Sequence, residues 1–255
     1  MSFLVAANFH RYSSGEKAPV RATHFEFRYR FWLIVLLHGA AFGLYYFDHV
    51  NFGAAVLRLL APSAGRGGLQ LIVGLGAAAV FAGALVRTWA TAYMRADVVH
   101  GLKLHSHTLV ADGPYRHMRN PLYFGVMLMA AGLGVMASRL GWIFLTASIY
   151  VYLLRLIRRE EAELREAQGE SYAAYCRSVP AFFPSLRPRL PAGGLQPRWR
   201  QAFVSELFIW IYGLAELTYA VTLRAGPALA LIGAGFMINF LAVFATRRRS
   251  RPAQA

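Results

Sequence analysis

The chain has 255 residues, of which 57% are hydrophobic and only 15% are charged. This composition excludes an ordinary soluble enzyme and indicates a membrane protein. The formal net charge of +15 excludes an acidic, solvated chain, and the single cysteine, Cys176, excludes an intramolecular disulfide and a clustered thiolate metal site.

Six apolar runs are long enough, or nearly so, to cross a bilayer, because a hydrocarbon core of about 30 Å needs roughly 20 helical residues. The runs are 31–47, 69–93, 121–137, 140–157, 203–223 and 227–245. Only Ser138 and Arg139 separate the third run from the fourth, so these two are predicted to form a tight hairpin of short helices. The expected fold is therefore all-α, a polytopic membrane bundle of about six spans.

The positive charges are distributed unevenly between alternate loops. If all six runs cross, one side of the membrane carries 21 of the 27 Lys and Arg residues and the other side carries 4. The positive-inside rule then places both termini in the cytoplasm, at a bacterial inner membrane or an endomembrane. Because a basic rim that faces anionic membrane lipids accounts for the net charge, no nucleic-acid partner is expected.

The pattern of runs and breaks divides the chain into five parts. We predict a cytoplasmic tail at 1–30, a first span and loop at 31–68, a membrane core at 69–187, a linker at 188–202, and a C-terminal helical hairpin with a basic tail at 203–255. Repeated prolines and the pair Gly193-Gly194 indicate the linker, because they interrupt helices.

Several residues inside the runs are predicted to have structural roles. Charged side chains are costly in lipid, so Arg87 is expected to pair or to line a cavity, and Glu206 and Glu216 are expected to face other helices. Small residues let helices approach closely, which is the interpretation given to Gly74, Gly76, Gly132 and Gly134. Tyr172 and Tyr175 are predicted to be aromatic anchors at the membrane interface.

The segment before the third run carries the first chemical signals. Asp112-Gly113-Pro114 predicts a turn, and Asn120-Pro121 predicts an N-cap followed by proline at the first helical position. The first N–H groups of that helix lack intrahelical partners. Together with Arg119, these N–H groups favour a carboxylate or phosphate as the bound ligand group.

A charged helix that continues the fourth run carries the second set of signals. Glu160 lies at the membrane boundary, where a carboxylate needs a cationic partner. In one interpretation Glu160 pairs with Arg155 or Arg159, and Glu161 pairs with Arg165, which only stabilises a solvated helix. In the other interpretation, the hairpin brings this helix and the segment before the third run to the same face. The two segments then hold one ligand that bears both a positive and a negative charge.

The block HTLVADGPYRHMRNPLYFG, followed by RREEAELREAQGESYAAYCRSVPAFFP, resembles the membrane-embedded methyltransferase superfamily of isoprenylcysteine carboxyl methyltransferases and phospholipid N-methyltransferases. The resemblance covers roughly residues 70–187. It implies an S-adenosylmethionine-dependent enzyme with a cytoplasmic cofactor pocket and a lipophilic or membrane-associated acceptor, either a carboxylate or an amine.

The resemblance also assigns site residues. The positions that it places in the cofactor pocket are His107, Leu109, Val110, Gly113, Pro114, Tyr115, Asn120, Pro121, Tyr123, Glu160 and Glu161. The family frequently has His where Asn120 stands. Arg119 and Glu160 are the expected catalytic residues, because Arg119 could orient a carboxylate acceptor and Glu160 could deprotonate an amine.

Two other functions stay open. The pairs Tyr175-Cys176 and Val179-Pro180 are similar to the C-terminal part of NADPH-dependent sterol reductases. A non-enzymatic membrane scaffold or small transporter is the third possibility. No metal is expected, because the sequence lacks an H-E-x-x-H pattern or nearby cysteines at the histidines His100, His105, His107 and His117.

Overall fold

The predicted apolar runs coincide with helices in the computed structural model, which describes residues 20–94, 111–235 and 237. Three helical segments are long and apolar enough to cross a membrane: Pro62–Tyr93, Arg139–Gln168 and Trp199–Thr222. Three shorter apolar segments are Arg30–Tyr46, Pro121–Met136 and Ala225–Gly235. No β-strand occurs in the described ranges. The all-α membrane bundle is therefore confirmed, whereas six crossings stay a prediction.

We number the helices in chain order. They are α1 (His24–Arg28), α2 (Arg30–Gly43), α3 (Phe52–Leu60), α4 (Gly65–Tyr93), α5 (Pro121–Leu133), α6 (Arg139–Gln168), α7 (Glu170–Ser178), α8 (Trp199–Thr222) and α9 (Ala225–Gly235). Helix α3 lies in the region predicted to be a loop. Its nine residues are too few to cross a membrane, so the length expected of a span does not reveal it in the sequence.

Helix α4 lies at the centre of the bundle, between α5 and α8, while α2 packs on α6. The predicted hairpin is formed by α5 and α6, and Ser138 caps the start of α6 by accepting a hydrogen bond from the N–H of Gly141. At the same turn, Asp48 accepts hydrogen bonds from the Arg139 side chain and the Leu140 N–H. These contacts fix the loop before α3 against the hairpin.

Glycines allow α4 and α5 to pack backbone against backbone. A Cβ atom on Gly132 would lie 2.5 Å from the carbonyl oxygen of Gly76, and one on Gly83 would lie 2.7 Å from the carbonyl oxygen of Gly125. The packing role predicted for Gly76 and Gly132 is confirmed. Among the described residues, no atom would lie within 4 Å of a Cβ atom on Gly74, so the described helices do not support the packing role predicted for Gly74.

Buried charge joins α4 to α8. The Arg87 guanidinium donates to both carboxylate oxygens of Glu206, at 2.8 and 3.2 Å, and the Thr91 hydroxyl donates to the same carboxylate at 2.8 Å. Glu216, ten residues further along α8, is only 1% exposed, and neither of its carboxyl oxygens has a hydrogen-bond partner in the described part of the chain. Arg87 is therefore paired and both glutamates face other helices, as predicted.

Replacing Glu206 by Gln is expected to lower the free energy of unfolding by about 3 kcal/mol, because the Arg87 guanidinium would stay buried without its counter-charge. The matched change Glu216→Gln on the same helix should leave that free energy unchanged or raise it, because this carboxyl group has no partner to lose. Denaturant-induced unfolding in one detergent measures both variants. Equal losses of stability would contradict the assignment of the two glutamates.

Replacing Gly132 by Ala is expected to lower the unfolding free energy by about 1–3 kcal/mol, because the added methyl group would collide with the α4 backbone. Gly74→Ala is the matched control, since its methyl group would meet open space. That variant should gain up to about 1 kcal/mol from the higher helix propensity of alanine. A Gly132→Ala protein as stable as the wild type would exclude the close helix contact.

Candidate functional site

The segment before α5 forms the turn that the sequence predicts. Gly113 has φ +57°, a left-handed conformation, and a Cβ atom there would lie 2.4 Å from the Tyr93 ring, so glycine is required for two reasons. A short 3-10 helix follows at Gly113–Arg116, and α5 begins at Pro121 as expected. Pro114 and Tyr115 are buried in this turn.

Asn120 occupies the N-cap position of α5, but its side chain does not cap the helix. The side-chain amide instead donates to Glu161 Oε1 at 3.1 Å and to the carbonyl oxygen of Ala181 at 2.9 Å. Tertiary partners thus replace the local hydrogen bond that the Asn-Pro pair predicts. The first N–H groups of α5 receive no side-chain cap from this residue.

An ion pair between Arg119 and Glu161 joins the two predicted segments. Nε and Nη2 of Arg119 donate to the two carboxylate oxygens of Glu161 at 2.8 and 3.1 Å, and both side chains are 10% exposed. Nη1 donates to the carbonyl oxygens of Cys176 and Val179 at the end of α7. Arg119 therefore holds three elements together: the start of α5, the α6 helix and the end of α7.

Glu160 has a different environment from its neighbour Glu161. The Tyr123 hydroxyl donates to Glu160 Oε1 at 2.6 Å, and no ion pair to Glu160 is present in the described ranges. Arg155 pairs with Glu26, and Arg159 pairs with Glu163. The interpretation in which Arg155 or Arg159 neutralises Glu160 is therefore wrong.

Tyr115 contributes a buried hydroxyl that has no hydrogen-bond partner among the described residues. Its ring is 8% exposed, and its carbonyl oxygen accepts a hydrogen bond from the Tyr175 hydroxyl at 2.8 Å. Burial raises the pKa of Tyr115 far above its usual value, so the hydroxyl stays protonated at neutral pH. Tyr172 and Tyr175 are also buried, so the prediction that they anchor the chain at the membrane interface is wrong.

The segment between α7 and α8, residues 179–198, includes the start of the predicted linker and lies along the segment that precedes α5. Three backbone hydrogen bonds connect them, with the N–H groups of Arg119, Ser185 and Arg189 donating to the carbonyl oxygens of Pro180, His117 and Arg116, respectively. Asp112, which is 3% exposed, accepts from the N–H groups of Gly193 at 2.6 Å and Leu195 at 2.8 Å.

Asp112 was missing from the predicted site. The glycine at position 193 is a partial sign of this contact in the sequence, because any larger residue would place a Cβ atom 2.9 Å from the Asp112 carboxylate. The sequence separation of 81 positions hides the contact from sequence inspection.

The described residues bring together most of the predicted site. Gly113, Pro114, Tyr115, Arg119, Asn120, Pro121, Tyr123, Glu160 and Glu161 lie in the turn, at the start of α5 and on the facing part of α6. The predicted positions His107, Leu109 and Val110 lie outside the described residues. No group of three or more metal-ligating side chains was found in the described ranges, and the absence of a metal stays a prediction.

Comparison with known proteins gives one family and several relatives. Residues 70–171 match the family model of phospholipid methyltransferases. A cobalt-zinc-cadmium resistance protein of Cupriavidus metallidurans is 32% identical over 116 residues, which cover 46% of this chain and 50% of that protein. A probable protein-S-isoprenylcysteine O-methyltransferase of Oryza sativa subsp. indica is 29% identical over 116 residues, 44% of this chain and 61% of that protein.

A protein-S-isoprenylcysteine O-methyltransferase of Schizosaccharomyces pombe is 28% identical over 90 residues, 35% of this chain and 38% of that protein. The chain thus spans between 38% and 61% of the length of these curated relatives. No solved structure matches the chain.

Replacing Asp112 by Asn is expected to lower the unfolding temperature at neutral pH, because the N–H groups of Leu195 and Gly193 stabilise the carboxylate and lower its pKa. Because the pKa of Asp112 is lower in the folded state, its carboxylate stabilises the protein at pH values above the unfolded-state pKa of about 4. This contribution disappears as the pH falls through the folded-state pKa. Thermal unfolding of both proteins between pH 7 and pH 3 measures the effect. The difference should shrink toward pH 3, and a difference that grows would contradict this role of Asp112.

Proposed function

We propose that this chain, whose residues 70–171 belong to the membrane-embedded isoprenylcysteine carboxyl methyltransferase and phospholipid methyltransferase superfamily, transfers a methyl group from S-adenosylmethionine to a lipophilic acceptor. The observation that carries the proposal lies inside the matched segment. There, among the described residues, the Glu160 carboxylate has only a neutral hydrogen-bond partner and the Tyr115 hydroxyl has none. A buried site with unsatisfied polar groups is suited to a polar ligand.

The polar groups of the site fit the charges of the cofactor. S-adenosylmethionine carries an amino group, a carboxylate and a positively charged sulfur, and when bound it supplies a methyl group activated by that sulfur. Glu160 is suited to a cationic group, and the Tyr115 hydroxyl is suited to one further polar atom. The uncapped N–H groups at the start of α5 are suited to a carboxylate. In this proposal Gly113, Pro114 and Pro121 shape the pocket wall, while the cofactor contacts of His107, Leu109 and Val110 stay predictions from the family resemblance.

Arg119 and Glu161 hold the pocket in place. Because Arg119 already donates to four oxygen atoms, its charge is largely compensated by Glu161 and two carbonyl groups. We assign it a positioning role, with Asn120 supporting Glu161 from the other side. Methyl transfer is a displacement in line with the breaking bond, so a rate gain from fixed geometry is expected.

Glu160 is the residue proposed to act closest to the reacting groups. The Tyr123 hydroxyl fixes the orientation of its carboxylate at 2.6 Å. For an amine acceptor this carboxylate could remove a proton, whereas a carboxylate acceptor is ionised at neutral pH and requires no base. Either acceptor would carry an apolar chain, because the site is part of a membrane bundle.

An apolar cavity of about 270 Å³ between α4 and α8 supports lateral entry of such a chain. It is lined by Leu85, Val86, Thr88, Trp89, Trp199 and Phe203. The Trp89 ring lies 5.7 Å, centroid to centroid, from His117 in the segment that precedes α5. We further propose that this end of the bundle is cytoplasmic, with both termini on the same side, because the charge distribution places most Lys and Arg residues there.

The wild-type protein in detergent or nanodiscs is expected to bind S-adenosylhomocysteine, detected by calorimetry, and not NADPH. With methyl-labelled S-adenosylmethionine and a membrane lipid extract, label should move into the lipid or lipoprotein fraction. Glu160→Gln should reduce this transfer roughly 100-fold or more, because the orienting carboxylate is lost.

Glu166→Gln is the matched control, since Glu166 is an exposed glutamate further along α6, and it should retain full activity. Heat released by NADPH but not by S-adenosylhomocysteine would instead favour a reductase. Binding of neither compound would favour a non-enzymatic scaffold or transporter.

A further inference from the structure

The N-terminal segment 20–30, which precedes the family-matched residues, packs against α6 beside Glu160. The Ala22 N–H donates to the carbonyl oxygen of Arg155, and the Tyr152 hydroxyl donates to the carbonyl oxygen of Glu26 at 2.7 Å. The Glu26 carboxylate pairs with Arg155 at 2.7 Å. A capping box between Thr23 and Glu26 further orders the segment. These contacts hold the segment against the part of α6 that leads into the site.

Phe27 contacts Arg30 as well as Arg159 of α6. Its ring is 8% exposed and lies between two guanidinium groups, that of Arg30 at 4.6 Å and that of Arg159 at 5.2 Å from the ring centroid. Arg159 precedes Glu160 in the chain, and Phe27 belongs to the hydrophobic cluster against which Tyr123 packs, while the Tyr123 hydroxyl donates to Glu160. Arg30 therefore lies at the candidate site although it is remote from it in sequence.

The hydrogen-bonding capacity of Arg30 is largely unused. Its guanidinium donates only to the carbonyl oxygen of Phe27, at 3.1 Å, and it forms no ion pair with any described residue. Three other arginines at this end of the bundle are engaged: Arg119 with Glu161, Arg155 with Glu26, and Arg159 with Glu163. A guanidinium has five donors arranged to bind a carboxylate or a phosphate in a bidentate manner.

We propose that Arg30 binds the anionic group of the methyl acceptor and is thereby a specificity-determining residue of the site. The inference rests on the function proposed above. In this arrangement Glu160 faces the cationic part of the bound molecules, and Arg30 faces the anionic group of the acceptor. Each charged side chain then meets a ligand group of the opposite charge. The anion can be a terminal carboxylate, which itself accepts the methyl group, or the phosphodiester beside an accepting amine.

The test measures acceptor KM and cofactor affinity separately. Two acceptors are supplied to the reconstituted protein with labelled S-adenosylmethionine: an S-farnesylcysteine derivative with a free carboxylate, and phosphatidylethanolamine. With whichever acceptor the wild type methylates, Arg30→Gln should raise the acceptor KM about 10- to 100-fold, because a charge-assisted contact is lost. The dissociation constant for S-adenosylhomocysteine should change less than about twofold, and Arg30→Lys should recover part of the loss.

Arg28→Gln is the matched control, because Arg28 lies in the same segment, is exposed, and has its guanidinium over the neighbouring Tyr29 ring. It should leave both constants unchanged. An Arg30→Gln protein with unchanged acceptor KM, or with weakened S-adenosylhomocysteine binding alone, would overturn the assignment. So would intact cofactor binding without methylation of either acceptor. A wild type that does not bind S-adenosylhomocysteine would overturn the proposed function itself, and this inference with it.

Discussion

The bidentate contact between Arg119 and Glu161 is the interaction on which the arrangement of the site depends. It joins residues 42 positions apart and, through two carbonyl oxygens, also fixes the end of α7. Both side chains are nearly buried, so separating them would leave a desolvated charge without a partner. A pair of this kind tolerates little displacement, and the Asn120 side chain, which donates to Glu161, is fixed by it.

Two neighbouring carboxylates consequently have different roles. Glu161 is neutralised within the protein, whereas Glu160 receives a hydrogen bond from a neutral hydroxyl. A helix turns by about 100° per residue, so adjacent side chains face different directions and meet different partners. Glu161 is thus satisfied within the protein, which leaves Glu160 for the ligand contact proposed above.

The membrane bundle supports the site with two kinds of contact. Glycines bring α4 and α5 to backbone contact, which suits helices that gain no hydrophobic stabilisation from associating within lipid. Arg87 and Glu206 then join α4 to α8, so a helix beyond the family-matched region packs directly on the core. The linker between α7 and α8 follows the segment 111–119 and is held there by backbone hydrogen bonds and Asp112. The site is thus bordered by parts of the chain from both sides of the matched residues.

The sequence by itself determined the all-helical membrane class, the tight hairpin, the turn at Gly113, the start of α5 and the interhelical role of Arg87, because each depends on local composition or on the cost of charge in lipid. Only the tertiary structure decided how the polar side chains pair. Asn120 donates to Glu161 instead of capping its own helix, and Asp112 binds a linker residue 81 positions away. The N-terminal segment places Arg30 beside Phe27, next to α6. Such pairings depend on which elements the fold places side by side, and the spacing of residues along one chain does not contain that information.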